Sequence, residues 1–511
     1  MEMGEKTGFR GAGLAERAWL AIERLLSGVV ESEYNPLYYL GAISIFFLWI
    51  ILVTGVYLFL FYDISARGAY ASVQSLTITQ WYLGGVMRSL HRYASDGLII
   101  TMLLHAFRCF ITGRYRHWRW LAWVSGVAIA WVVWIGGIFG YWMVWDERAK
   151  LIATLSARMI ESIPIFGLPL SLNFARVESL TDQLFYIILF IHFSTAFLLF
   201  ILILVHIVRV TRAVINPPRV AAYGIIIALL ALSFIKPALS GAPADLKRLS
   251  EAVPFDWLFM FIFPFLNWVS ARSLWGFIVA TTLVFAVVPW LGRRNRKPPA
   301  KVALENCTGC ELCMEDCPYQ AIMMRPRTDG LSYPLEAAVV DKRCASCGIC
   351  VGACDYKAID LPDMTEGTVK AEIARLASEL KEKAEGRMVV VFACAKGPGP
   401  GLLSGGNGTI NGLDWARVVA LPCIGMLQPS MISSALDKGV DGVFIASCAQ
   451  GDCHYRKGAD WLSARLAGFR PPVVKKSLDR SRIRIEYLSA VEGDAFIKGL
   501  TAFREGLKAR S

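Results

Sequence analysis

The chain has 511 residues, 55% of them hydrophobic, and a formal net charge of +12 at pH 7. This length predicts about three domains. Apolar runs long enough to cross a bilayer precede residue 292, whereas twelve of the 13 cysteines follow residue 306. The composition therefore excludes a single soluble domain and predicts a membrane region, residues 1–292, followed by soluble cysteine-rich domains.

Six apolar segments of the first region are predicted to cross the membrane, since each approaches the ~20 residues that a spanning helix needs. They are 38–62, 84–112, 121–145, 183–211, 220–240 and 273–291. Arginine clusters follow the second, fourth and sixth segments. With the N-terminus in the cytoplasm, these clusters and the cysteine-rich domains lie on the cytoplasmic side of a prokaryotic cell membrane. Helix ends then account for the positive charge, and nucleic-acid binding is not predicted.

Two predicted spans carry histidines at the same interval. His91 and His105 are 14 residues apart, and His192 and His206 repeat that spacing. Fourteen helical residues rise ~21 Å and end within about 40° of a whole number of turns, so both histidines of a helix share one face. One span intervenes, so the helices run parallel and His91 meets His192 while His105 meets His206. Each pair is predicted to ligate one haem iron.

Two further spans carry glycines at the same interval. Gly41 and Gly55 lie in the first span, and Gly126 and Gly140 lie in the third. Glycine leaves room for a flat macrocycle against the backbone. The alternative is that the histidines are core groups and the glycines are helix-packing positions. The pattern favours an all-α transmembrane helix bundle that binds haem.

The region resembles cytochrome b of the bc-type quinol-oxidising complexes in several motifs. Arg88 precedes His91 by three residues, and Arg108 follows His105 by three residues. The segment GYWMVW resembles the family's G-Y-x-x-P-W, and PFDW resembles its P-E-W-Y. The resemblance implies two b-type haems, with Arg88 and Arg108 at the propionates, a quinone as substrate, and a homodimer.

The resemblance also implies that Asp256 of PFDW accepts a quinol proton, as the glutamate of the family motif does. A helix N-cap or loop carboxylate is the alternative for Asp256. Thr211 stands where the family has a quinone-binding histidine. An inner quinone site is therefore not predicted.

Two cysteine runs with the spacing C-x2-C-x2-C-x3-C follow, and they are typical of bacterial ferredoxins in which the fourth cysteine ligates the other cluster. The first cluster is assigned to Cys307, Cys310, Cys313 and Cys354, and the second to Cys317, Cys344, Cys347 and Cys350. Zinc is the alternative. Residues 300–362 are thus predicted to form an α+β ferredoxin-like domain with two [4Fe–4S] clusters.

A charged helical linker, 363–387, leads to a last domain, 388–511, in which three β-rich runs end near Cys394, Cys423 and Cys448. Intervening helices predict a parallel α/β sheet, whose strand ends converge at one edge. Cys453 in CAQGDCHY supplies a fourth thiol.

The last domain resembles the delta subunit of methyl-viologen-reducing hydrogenase in CAQGDCHY, DGVFIAS and IEYLSAVEGDAF. The resemblance implies a [2Fe–2S] cluster held by the four cysteines. Zinc or unligated buried thiols are the alternatives, since spacing alone does not fix the metal.

Together these parts predict an oxidoreductase subunit that links a cytoplasmic heterodisulfide-reductase-like flavoprotein or hydrogenase-like complex to the quinone pool. The alternative is a membrane anchor and electron relay with no functional quinone site. A transporter that uses its buried charges is disfavoured, because those charges cluster around the histidines.

Overall fold

The computed structural model describes residues 13–163, 180–209, 213–247, 253–291, 297–383, 386–398, 408–410 and 412–508. Its element order confirms the predicted sequence of an all-α region, a small α+β region and an α/β region. The helices described in the first region are α1 (Leu14–Val29), α2 (Glu31–Tyr34), α3 (Leu40–Phe61), α4 (Ala69–Ile78), α5 (Val86–Ile111), α6 (Trp120–Val144), α7 (Glu147–Glu161), α8 (Asp182–Arg209), α9 (Arg219–Ile235) and α10 (Ala271–Val287).

Five helices of the described residues are long and apolar enough to cross a membrane. They span Leu40–Phe61, Trp81–Ile111, Trp120–Val144, Asp182–Val208 and Ala271–Trp290. The predicted segment 220–240 is instead the 17-residue helix α9, which rises only ~25 Å. It ends at Ile235 because Pro237 disfavours helical backbone at Lys236. The sixth crossing therefore stays a prediction.

The spanning helices pack as two neighbouring pairs, α3 along α5 and α6 along α8. Each pair joins a glycine-bearing helix to a histidine-bearing helix. The amphipathic helix α1 lies beside the end of α5, where Trp19 packs edge-on against Phe107 with ring centroids 5.5 Å apart. The apolar outer faces of α8 and α10 are exposed, as expected of helices that contact lipid.

The ferredoxin-like region consists of two short antiparallel strand pairs and two short helices. Its elements are β1 (Lys301–Val302), α11 (Leu312–Asp316), β2 (Ile322–Pro326), β3 (Leu335–Val339), α12 (Ile349–Ala353) and β4 (Ile359–Asp360). β1 pairs antiparallel with β4, so the two ends of the region lie together, and β2 pairs antiparallel with β3. The helices α11 and α12 pack together.

The last region is a five-stranded sheet flanked by helices. Its elements are α13 (Glu366–Lys383), β5 (Val389–Cys394), β6 (Thr409–Ile410), β7 (Leu413–Leu421), α14 (Pro429–Asp437), β8 (Gly442–Cys448), α15 (Gly458–Ala467), β9 (Ile483–Leu488) and α16 (Gly493–Lys508). The strand order is β6-β7-β5-β8-β9. Four strands are parallel as predicted, and the edge strand β6 runs antiparallel. The fully buried β5 and β8 carry the continuous apolar sequences expected of central parallel strands.

Candidate metal centres

The structure brings the four histidines together as two pairs. The ring centroids of His91 and His192 lie 6.4 Å apart, and those of His105 and His206 lie 6.5 Å apart. Two metal–nitrogen bonds of ~2.0–2.1 Å, with each ring centroid a further ~1 Å behind its nitrogen, span ~6 Å. Both pairs therefore fit one metal ion ligated from two sides, which is the axial arrangement of a b-type haem.

Hydrogen bonds orient three of these rings from the neighbouring helix. The Nδ1 atom of His91 lies 3.1 Å from the Ile51 carbonyl, and that of His192 lies 2.9 Å from the Gly136 carbonyl. The Nδ1 atom of His206 lies 3.1 Å from the Ser125 hydroxyl. Such contacts fix the ring orientation and leave Nε2 as the ligating atom.

The four glycines of the sequence pattern each lie against one histidine ring. A Cβ at Gly41 would stand 3.1 Å from Cε1 of His105, and one at Gly55 would stand 3.1 Å from Cε1 of His91. Gly126 and Gly140 face His206 and His192 in the same way, at 3.5 and 3.3 Å. The glycines therefore give the imidazole rings room to approach the facing helix. Their predicted contact with a macrocycle stays a prediction.

A cavity of about 880 Å³ surrounds the inner pair, His105 and His206. It lies within the range of ligand-sized sites. Most of its wall is apolar, and four arginines also border it, namely Arg108, Arg114, Arg119 and Arg456. Gly451 and His454 join Arg456 in closing one side. The α/β region therefore forms part of the wall around the inner histidines.

Arg108, a predicted propionate contact, is held by two carboxylates. Its Nε donates to Glu23 at 2.7 Å and its Nη2 donates to Asp452 at 2.6 Å. Arg114 pairs with the same Asp452. Burial alone raises the pKa of Asp452, but Arg114 and Arg108 outweigh it and hold that pKa below its ordinary value. These charges join α1, α5 and the loop between Cys448 and Cys453.

Arg88, the other predicted propionate contact, donates to the hydroxyls of Thr77 and Ser240. Within the described residues its guanidinium contacts no carboxylate at ion-pair distance. Arg88 thus remains available to an anionic group near the outer pair, His91 and His192.

Asp256 is buried in a polar cluster instead of standing free. Its Oδ1 accepts from the backbone amides of Leu258 and Phe259 at 2.8 and 3.1 Å, as a capping carboxylate does. Its Oδ2 accepts from Arg92 and from the Tyr141 hydroxyl. Arg92 also pairs with Asp96, one turn further along the same helix. Thr211, which bears on the inner quinone site, lies outside the described residues.

The eight ferredoxin cysteines line two separate small cavities. One is bordered by Cys307, Cys310, Cys313 and Cys354, and the other by Cys317, Cys344, Cys347 and Cys350. Each run therefore lends its fourth cysteine to the other cavity, which is the crossed arrangement of a two-cluster ferredoxin. Burial raises the pKa of Cys347 to about 12. Binding of a metal to this thiol would therefore be coupled to release of its proton.

The four late cysteines converge at the carboxyl edge of the central strands. The Sγ atoms of Cys394 and Cys448 lie 3.2 Å apart. Hydrogen bonds from Cys423 and Cys448 hold the pKa of Cys453 well below its ordinary value, so this group favours the thiolate. All four side chains are buried. Among the described residues, no group of three or more His, Cys, Asp or Glu side chains is placed to hold a single metal ion.

The second ferredoxin cavity and the late cysteines share one packed layer. Cys347 and Cys423 belong to the same apolar cluster, together with Tyr319 and Ile349. Backbones meet closely here, since a Cβ at Gly352 would stand 2.0 Å from the Gly425 carbonyl oxygen. The two cysteine sites are therefore neighbours.

Sequence reasoning missed Glu23 and Asp452, which join the regions, and Arg456, which borders the inner histidine cavity. The contact between Arg108 and Asp452 joins residues 344 positions apart, and local patterns carry no signal of such a pairing. A weak signal was present in Asp452 and Arg456, which are charged residues in and beside the motif CAQGDCHY.

Known families match three successive parts of the chain. The family described as cytochrome b/b6/petB matches residues 25–211, the 4Fe-4S dicluster domain matches 306–359, and the methyl-viologen-reducing hydrogenase delta subunit matches 389–509. The predicted fusion is thereby confirmed.

One solved structure, titled "Hyperthermophilic respiratory Complex III", is similar to this chain at 17% sequence identity. The match covers 50% of this chain and 75% of that chain, with a TM-score of 0.41. A likeness this low carries no argument about function. On the family matches, the chain joins a cytochrome b region, a 4Fe-4S dicluster domain and a hydrogenase delta-subunit-like region, and it is a membrane electron-transfer subunit.

Proposed function

We propose that this protein passes electrons between a soluble redox complex and quinone in the membrane. The complex is a heterodisulfide-reductase-like flavoprotein or a hydrogenase-like assembly on the cytoplasmic side. The observation that carries the proposal is the contact between the late cysteine loop and the inner histidine cavity, whose wall includes Gly451, His454 and Arg456. Soluble and membrane sites are thus in direct contact.

The residues that would hold the redox groups divide into three sets. His91 with His192 and His105 with His206 would each hold one b-type haem. The eight ferredoxin cysteines would hold two [4Fe–4S] clusters, and Cys394, Cys423, Cys448 and Cys453 would hold a [2Fe–2S] cluster. When bound, these groups supply the one-electron chemistry, and the protein supplies position and electrostatics.

The residues of the chain would place these groups next to one another, in an order that leads from the soluble partner to the membrane. Cys310 is the exposed member of the ferredoxin set, so the first cavity is the one that a soluble partner reaches. The second cavity adjoins Cys423, and the loop after Cys448 borders His105 and His206. The late cysteine site would therefore pass electrons from the ferredoxin domain to the membrane.

We further propose the domain limits that the sequence predicts, which are 1–292 for the membrane domain, 300–362 for the ferredoxin domain, 363–387 for the linker, whose helix α13 packs against the last domain, and 388–511 for the last domain. The pairing of β1 with β4 supports the second of these limits, because it brings the two ends of that domain together.

The test is a redox spectrum of the protein purified from membranes. We expect a dithionite-reduced minus oxidised spectrum with b-type haem bands, and electron paramagnetic resonance signals from iron–sulfur clusters. Co-purification from native membranes should bring down a flavoprotein or hydrogenase-like complex. A sample with normal folding and no b-type haem would refute the proposal.

The surroundings of Asp256 favour a second candidate, a relay and membrane anchor without a quinone site. Arg92, Tyr141 and two backbone amides already engage this carboxylate. Rapid reoxidation of the reduced haems by a quinone analogue, lost in Asp256→Asn, would support the quinone site. Reoxidation that is equally slow in the parent protein and in Asp256→Asn would support the anchor.

A further inference from the structure

Positive charge exceeds negative charge around the inner histidine cavity. Four guanidinium groups border it, and no carboxylate of the described residues does. Glu23 and Asp452, which lie behind the wall, pair with Arg108 and Arg114. Among the residues that the structure describes, Arg119 and Arg456 therefore remain without a carboxylate partner.

The surroundings of these two cations differ. Arg119 donates to the Tyr319 hydroxyl and to the His454 carbonyl. Within the described part of the chain, the guanidinium of Arg456 makes neither a hydrogen bond nor an ion pair. Arg456 is half-buried at a mostly apolar cavity, where a cation without an acceptor is unfavourable unless a ligand supplies one. Burial, with Arg119 and Arg114 nearby, lowers the pKa of Arg456 to about 10.

The backbone at Arg456 is also held in an uncommon conformation. Its φ is +78°, in the left-handed region that residues other than glycine rarely adopt. An observed strain of this kind is a reason to look for a function at the residue. The turn at Arg456 follows Cys453 and carries the side chain to the wall of the cavity, within electrostatic reach of His206.

From this geometry we propose that Arg456 binds a propionate of the haem held by His105 and His206, with Arg119 as the second cation. The inference rests on the proposed haem function. Two guanidinium groups that have no carboxylate partner among the described residues match the two propionate carboxylates that a haem carries, and arginine is well suited to bind carboxylates. The α/β domain thus completes the inner haem site, while Arg108 fastens that domain to the membrane helices.

The experiment is a redox titration of the intact membrane protein, followed at the haem absorption bands. A positive charge beside a propionate favours the reduced haem. We expect Arg456→Gln to lower the midpoint potential of the inner haem by about 59 mV, a tenfold change in its oxidised-to-reduced ratio. The outer haem should keep its potential. The inner component is identified as the one that is missing from a His206→Leu variant.

Two further variants separate charge from structure. Arg456→Lys keeps the charge and shares the backbone strain of the glutamine variant, so we expect its inner potential to stay close to that of the parent protein. Arg480→Gln, an exposed arginine of the same domain, should leave both potentials unchanged. Equal downward shifts in the lysine and glutamine variants would overturn the proposal, and so would an unchanged inner potential in Arg456→Gln with full haem content.

A second variant covers the case in which Arg456→Gln does not fold. Arg119→Gln removes the second proposed propionate cation from the membrane side and should also lower the inner potential. An unchanged inner potential in a folded Arg119→Gln protein would then overturn the proposal. A parent protein without haem would instead refute the proposed function, so the two failures are distinguishable.

Discussion

At the residue scale, the charges that make α5 an unfavourable membrane helix are bound by side chains from distant parts of the chain. A central arginine or aspartate costs ~2.5–3.5 kcal/mol on insertion scales. Arg92 contacts Asp96 and Asp256, and Arg108 contacts Glu23 and Asp452. Each of these two arginines therefore also links helix α5 to another part of the structure.

Asp452 is the residue whose loss should loosen the junction between the α/β domain and the membrane helices. In Asp452→Asn, Arg114 loses its carboxylate and Arg108 keeps only Glu23. Removal of one partner from a buried ion pair costs ~3–5 kcal/mol. We expect faster proteolytic release of the last domain and a lower unfolding temperature. The exposed Asp437→Asn should change neither, and equal behaviour of the two variants would contradict this role.

The pairing of the histidines could be predicted from their spacing, because helix periodicity fixes which residues share a face. The partners of Arg108 and the position of Arg456 at the inner histidine cavity could not be predicted, because they depend on how separate domains dock. Asp256 shows the limit of family resemblance. The motif indicates a carboxylate, but its ion pair with Arg92 depends on the packing of α5 and α6 against the segment around it.

At the element scale, three glycines allow α12, the turn after β7 and α15 to meet backbone to backbone. Gly352 faces Gly425, and Gly425 faces Gly458. A Cβ on Gly458 would stand 2.2 Å from the Cys423 sulfur atom. Neighbouring elements could not approach as closely with larger residues. Sequence analysis predicted the two domains that contain these elements, but it could not predict the glycine contacts, because they depend on how the ferredoxin domain and the loops of the last domain pack together.

Gly458→Ala should therefore displace Cys423 and disrupt the late cysteine centre. We expect loss of its paramagnetic signal at unchanged content of the two ferredoxin clusters, as measured by iron analysis and electron paramagnetic resonance. Gly506→Ala is the matched control, because this helical glycine of the same domain has open space around it. An intact late centre in Gly458→Ala would show that the layer adjusts to the added methyl group.

A fully buried ion pair joins α11 to α15. Asp316 accepts from Arg465, and the side chains are only 1% and 0% exposed. Asp316→Ala leaves this guanidinium buried without its carboxylate, which costs ~3–5 kcal/mol. We expect a lower denaturant midpoint for the soluble domains. The adjacent Glu315→Ala removes a pair whose carboxylate is 54% exposed, for which ~0–1 kcal/mol is typical. Equal effects of the two variants would argue against the buried pair.

At the scale of the whole molecule, the order of sites in space differs from their order in sequence. The late cysteine site comes last in the chain, yet it adjoins both the second ferredoxin cavity and the wall of the inner histidine cavity. Sequence predicted each site from its local spacing. It could not predict this order, because motif order carries no information about docking.

This arrangement predicts that Cys448→Ala interrupts electron flow and leaves the sites on both sides intact. The ferredoxin cavities and the histidine pairs contain no atom of Cys448. A soluble one-electron donor too large to reach the membrane helices should therefore still reduce the [4Fe–4S] clusters at the parent rate. Haem reduction should slow by an order of magnitude or more in stopped-flow absorbance measurements.

The matched control for this variant is Ser447→Ala on the same strand, because the buried Ser447 hydroxyl has no hydrogen-bond partner within the described residues. Its removal should leave haem reduction at the parent rate.

If Cys448→Ala also reduces its haems at the parent rate, electrons pass from the ferredoxin domain to the membrane directly. The contact between Tyr319 and Arg119 offers that alternative route. If the [4Fe–4S] clusters themselves stay oxidised, the late cysteine site receives electrons first. The variant therefore decides which soluble site faces the partner and which faces the haems.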